Sequence, residues 1–103
     1  MSRMTTALLS LIFVVGFSQG ASAADARMGQ TLAKRWCADC HIVSADQTRG
    51  TTQAPPFSAI ARKPGFDSAD LALFLLAPHP KMPDMNLSRS EAADLAAYIA
   101  IQK

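Results

Sequence analysis

The amino terminus carries a basic start, an apolar run and a small-residue stretch, in that order. Arg3 precedes the apolar residues 7–17, and the small residues 21–23 follow them. An apolar run of about eleven residues is shorter than the roughly 20 that a membrane-spanning helix needs, and the arrangement is typical of a cleaved secretory signal peptide. We therefore predict a signal peptide over residues 1–23 and one domain over 24–103, with an uncleaved membrane anchor as the alternative.

A domain of about 80 residues lies near the size limit at which an apolar core alone stabilises a fold. Exported domains of this size commonly gain stability from several disulfides, but only Cys37 and Cys40 are present, and they are close in sequence. We therefore expect a cofactor to stabilise the domain.

The charges of the chain are nearly balanced, with 10 Lys and Arg residues against 8 Asp and Glu residues. The chain therefore lacks the basic excess of nucleic-acid-binding proteins. We expect no nucleic-acid partner and no stable membrane insertion after cleavage.

Apolar residues in the predicted domain recur with helical spacing, and no stretch alternates as strands do. We therefore predict an all-α fold. The elements, in chain order, are a helix from about Asp25 to Trp36, a polar loop over 42–56, a short turn over 57–62, a helix from Asp67 that stops at Pro78, a loop over 79–85 and a final helix that begins with the capping box Ser88 to Glu91.

Each terminal helix has a predicted buried face. The apolar positions of the first are Gly29, Leu32, Ala33 and Trp36, and those of the last are Ala92, Leu95 and Ile99 beside Tyr98. Phe57, Leu71, Phe74, Leu75 and Leu76 are predicted to be core or to form the wall of a cofactor pocket.

The chemistry of the chain is concentrated in Cys37-Ala38-Asp39-Cys40-His41. Two thiols at this spacing can each add to one vinyl group of a single haem, and the histidine that follows can bind the iron. An export signal is consistent with this interpretation, because it carries the chain to the compartment where haem is attached. We predict covalent haem attachment at Cys37 and Cys40, with His41 as an iron ligand.

Three other interpretations of the same residues fit the sequence less well. A thioredoxin-like dithiol requires a βαβ pattern, which the sequence does not show. A structural zinc site requires four ligands, and beyond the motif only His79 is available, at an unusual spacing. A plain disulfide between Cys37 and Cys40 leaves His41 without a role.

The motif lies between a predicted amino-terminal helix and a proline-containing loop, and a Met-Pro segment precedes a terminal amphipathic helix. In this arrangement the chain resembles the class I c-type cytochromes, in particular the short bacterial monohaem members. The resemblance covers essentially the whole of residues 24–103. It implies a small cytochrome c fold in which helices pack around one covalently bound haem and the first and last helices cross.

The resemblance also implies specific contacts at that crossing. By position, Gly29 would lie against Leu95 and Tyr98. Many members carry an aromatic residue where this chain has Ala33, and we expect Trp36 to supply the missing bulk.

A haem that only carries electrons is usually six-coordinate, so a second iron ligand is expected. The candidates are Met82, Met85 and His79. The resemblance favours Met82, because the axial methionine of the family commonly precedes a proline, here Pro83. The chain length between Met82 and the Ser88 cap is also sufficient to run from the iron to the last helix, whereas Met85 leaves only a short connection. We predict Met82 as the ligand, Met85 as a space-filling methionine and His79 as a solvated loop residue.

A proline of the polar loop is expected to contact the haem-binding histidine. In the family, a proline carbonyl accepts a hydrogen bond from the ring N–H of this histidine, which fixes the imidazole. Pro55 is favoured over Pro56, and the alternative is that both prolines only stiffen the loop.

The predicted function is periplasmic transfer of one electron between redox partner proteins, with no enzymatic activity of its own. If protein atoms fill both axial positions, no substrate can bind the iron. Two alternatives remain open: a cytochrome subunit that accepts electrons from a partner dehydrogenase or oxidoreductase complex, and a sensor whose sixth iron ligand is readily displaced.

Overall fold

The computed structural model describes residues 15–16, 23–77 and 80–103 of the chain. Four helices lie within these residues: α1 over Ala26–Trp36, α2 over Phe57–Ala61, α3 over Ser68–Leu76 and α4 over Arg89–Ala100. No strand occurs in these ranges, so the prediction of an all-α fold is confirmed. No helix of the described part is long and apolar enough to cross a membrane. Nearly all of the predicted signal peptide, and His79, lie outside the described residues.

Local capping sets the boundaries of the helices. The Asp25 carboxylate accepts hydrogen bonds from the amides of Arg27 and Met28 and so begins α1. Ser88 and Glu91 form the predicted capping box at the start of α4, with both hydrogen bonds at 3.0 Å. The segment predicted as a short turn over 57–62 is the five-residue helix α2.

The first and last helices cross at Gly29, which is buried. A Cβ atom added there would overlap the backbone carbonyl of Asp94 and would lie 2.7 Å from the Tyr98 Cβ atom. The expected contact with Tyr98 is therefore present, but the nearest backbone belongs to Asp94 rather than to Leu95. The Asp25 amide also donates to the Asp94 carboxylate at 2.7 Å, which joins the start of α1 to α4.

The buried face of α4 agrees with the prediction, since Ala92, Leu95, Tyr98 and Ile99 are all buried. The prediction for Trp36 is wrong. Its side chain is 39% exposed and stacks under the Arg35 guanidinium, 5.0 Å from the ring centroid, instead of entering the crossing. Ala33 is fully buried and belongs to the hydrophobic core with its small side chain.

Candidate cofactor site

The motif Cys37 to His41 forms a tight turn at the end of α1. The amides of Cys40 and His41 both donate to the Cys37 carbonyl, at 3.1 and 2.8 Å, and the Cys37 amide continues the hydrogen bonding of α1. The Cys37 side chain is buried and that of Cys40 is exposed. Burial raises the pKa of the Cys37 thiol to about 11, so as a free thiol it stays protonated at neutral pH.

The His41 ring is held by the polar loop. Its Nδ1 atom lies 2.6 Å from the Pro55 carbonyl oxygen, and because a carbonyl only accepts, Nδ1 carries the proton. The other ring nitrogen, Nε2, is then left with a lone pair for a metal. Of the two adjacent prolines, it is Pro55 that makes this contact, while Pro56 is the residue that precedes α2. The His41 ring also packs 5.5 Å from the Phe57 ring.

The motif, the loops and the helices α2, α3 and α4 border a cavity of about 420 Å³. Its walls are predominantly apolar, and the lining residues that carry nitrogen or sulfur in their side chains are Cys37, His41, Lys63 and Met82. Four of the five residues predicted as core or pocket wall line it, namely Phe57, Leu71, Phe74 and Leu75; Leu76 is not among them.

The two candidate methionines occupy different places. Met82 lines the same cavity as His41. Met85 is 8% exposed, belongs to the hydrophobic core and does not line the cavity. Asn86, which follows it, has a positive φ of 49° and its amide donates to the Asp84 carboxylate at 2.9 Å; this turn leads the chain from the Met82 loop into α4.

Comparison with curated proteins found a relative that covers most of the chain. A protein named cytochrome c-552 from Bradyrhizobium diazoefficiens is 53% identical to it over 89 residues, which is 86% of this chain and 86% of the relative. No family model and no solved structure matched the chain. The chain belongs to the class I c-type cytochromes. Its cofactor is therefore a covalently bound haem c, and the chain is an electron-transfer cytochrome.

The residues around the cavity of the cytochrome fit that cofactor. A flat apolar ring system matches the apolar walls, and the imidazole and thioether at the cavity are the donor pair that the iron of a cytochrome c takes. In contrast, no group of three or more His, Cys, Asp or Glu side chains lies together within the described residues, which leaves the zinc interpretation without a ligand set there. The absence of strands in the same residues removes the thioredoxin interpretation.

Two side-chain contacts that organise the site escaped the sequence analysis. Tyr98 was predicted at the buried face of the last helix and at the helix crossing, yet the structure also shows that its hydroxyl donates to the Val43 carbonyl at 2.7 Å. Gln47 was part of an undifferentiated polar loop, yet its side-chain amide donates to the carbonyls of Ala38 and His41 in the turn formed by the cysteine–histidine motif. The spacing of residues in the sequence does not predict such contacts, because each joins a side chain to backbone groups whose positions depend on the folded loop.

Proposed function

We propose that this cytochrome is a periplasmic carrier of single electrons, with haem attached at Cys37 and Cys40 and the iron bound by His41 and Met82. The observation that carries the proposal is that His41 and Met82 line one apolar cavity, while Met85 is part of the core. A signal peptide over residues 1–23 is part of the same proposal.

The protein groups of this site favour electron transfer over bond chemistry. When bound, the haem supplies a one-electron couple between Fe(III) and Fe(II). His41 and Met82 would hold the iron through an imidazole nitrogen and a thioether sulfur, which would leave no place at the metal for a substrate. The neutral thioether and the apolar walls both disfavour the extra positive charge of the ferric state, which raises the reduction potential.

Two further groups support this arrangement. The Pro55 carbonyl holds the proton on His41 Nδ1 and fixes the ring. Lys63 is the cationic residue among those that line the cavity, and it would balance a haem carboxylate there.

The ligation is tested by replacing each methionine in turn. Met82→Ala should abolish the near-infrared methionine–iron band of the ferric protein, lower the reduction potential, and allow cyanide or carbon monoxide to bind. Met85→Ala is the matched control and should keep the band. Loss of the band in the Met85 variant alone would reverse the assignment. Retention of the band in both variants would show that neither Met82 nor Met85 is the essential iron ligand.

Purification of the wild-type protein from the periplasm tests the location and the role. Mass spectrometry should give a mature chain that begins at Ala24 and carries one haem. A protein found only in the membrane fraction with its first 23 residues intact would contradict cleavage. Stoichiometric co-purification of a dehydrogenase would instead favour the subunit interpretation.

A further inference from the structure

Gln47 lies in the loop that follows the attachment turn and is half-buried. Both the oxygen and the nitrogen of its side-chain amide make hydrogen bonds to the backbone. The Oε1 atom accepts from the Val43 amide at 3.0 Å. The Nε2 atom donates to the carbonyls of Ala38 at 3.0 Å and His41 at 2.8 Å, and it also contacts the Arg49 carbonyl at 2.5 Å. One side chain therefore joins four backbone groups that the loop would otherwise leave to water.

The positions of these backbone groups give the contacts their significance. Ala38 lies between the two cysteines, and His41 is the residue whose imidazole enters the cavity. At its far end the same loop holds the His41 ring through the Pro55 carbonyl. The histidine is thus fixed twice by one irregular segment, at its backbone by Gln47 and at its ring by Pro55.

We propose that Gln47 is a positioning residue that fixes the orientation of the His41 imidazole about its bond to the iron and thereby contributes to the reduction potential. The inference rests on the proposed ligation by His41. Gln47 does not line the cavity, so it acts only through the backbone of the attachment turn. Its loss frees the Ala38 and His41 carbonyls from a shared donor and lets the histidine backbone rotate.

The test compares Gln47→Leu with Gln53→Leu in the haem-loaded protein. Leucine has nearly the size of glutamine, carries no charge and cannot bind iron. Gln53 is an exposed glutamine of the same loop and gives the matched control. The proton NMR shifts of the haem methyl groups in the ferric protein depend on the orientations of the bound imidazole and thioether, because both set the distribution of the unpaired electron. The hydrogen bonds of Gln47 are to the segment around His41, so a redistribution of the shifts in its variants reports the imidazole.

We expect Gln47→Leu to redistribute the haem methyl shifts and to shift the reduction potential, while Gln53→Leu keeps the wild-type values of both. Gln47→Glu is the second variant, since it retains the acceptor for the Val43 amide but loses the donors to Ala38 and His41; it should also redistribute the methyl shifts. Wild-type methyl shifts in both Gln47 variants, with only a lowered thermal stability, would overturn the inference.

Failure of both Gln47 variants to accumulate with haem would also overturn it, because Gln47 would then act on the stability of the domain as a whole. The wild-type spectrum separates this inference from the ligation on which it rests. If the wild-type ferric protein shows no hyperfine-shifted imidazole protons, the proposed ligation by His41 fails; if it shows them and the variants are unchanged, only the role of Gln47 fails.

Discussion

At the scale of single residues, the Tyr98 hydroxyl connects the last helix to the segment that follows His41. It donates to the Val43 carbonyl at 2.7 Å, and both residues are buried. Burial also raises the pKa of Tyr98, so the neutral form that makes this bond is favoured in the folded protein. The stability from this group is present below the ordinary tyrosine pKa of about 10 and is lost as the pH rises through the raised value.

Tyr98→Phe leaves the Val43 carbonyl without its donor in a buried place. We expect the free energy of unfolding of the reduced holoprotein to fall by about 1–3 kcal/mol, measured by guanidinium denaturation. Ser90→Ala removes an exposed hydroxyl from the same helix and should have little effect. Equal stability of the Tyr98 variant and the wild type would show that the hydrogen bond contributes nothing net.

At the scale of elements, the domain depends on the close crossing of α1 and α4. Gly29→Ala places a methyl group on the Asp94 carbonyl, and because the obstacle is backbone, the helices must separate. We expect a loss of about 1–3 kcal/mol in the free energy of unfolding. The control for this variant is Thr31→Ala, at an exposed position of α1, where alanine should be tolerated. A Gly29→Ala protein as stable as the control would contradict the close approach.

The Glu91 carboxylate at the start of α4 should make the free energy of unfolding depend on pH in the acid range. The Ser88 amide, which donates to the Glu91 carboxylate at 3.0 Å, lowers the pKa of Glu91. A lowered pKa contributes stability that is present above the ordinary glutamate value of about 4.3 and is lost as the pH falls through the lowered value. Glu91→Gln can keep the hydrogen bond but cannot titrate, so its free energy of unfolding should decrease less on acidification than that of the wild type. Parallel pH profiles of the two proteins would exclude this contribution.

At the scale of the whole molecule, the domain has a cavity of about 420 Å³ with predominantly apolar walls. Apolar side chains from three helices face it, including Phe57, Leu71, Phe74 and Leu95. A domain of this size buries only a small core, so we expect the bound haem to contribute to the stability of the fold as well as supplying the redox chemistry.

Replacing both Cys37 and Cys40 by Ala should therefore abolish haem staining on a denaturing gel, because no covalent bond remains. The haem-free chain should be molten or largely disordered, with poorly dispersed amide NMR signals. Met85→Ala, which keeps both cysteines, should still stain. Staining of the double variant at the wild-type level, or a well-dispersed spectrum of the haem-free chain, would contradict the attachment or the stabilisation, respectively.

The sequence by itself determined the helical class, the boundaries of the terminal helices and the family. These properties depend on local chemistry: a carboxylate or hydroxyl that caps the next turn, apolar residues at helical spacing, and a contiguous motif of two cysteines and a histidine. The start of α4 at the Ser88 capping box was predictable because both of its hydrogen bonds lie within four residues of chain.

Only the tertiary structure decided which side chains meet. Trp36 continues the apolar stripe of α1 in sequence, yet its side chain is 39% exposed and lies against the Arg35 guanidinium. Periodicity alone could not separate Met82 at the cavity from Met85 in the core. The contacts of Gln47 and Pro55 with His41 depend on the path of an irregular loop, and that path is set by long-range packing rather than by the propensities of its own residues.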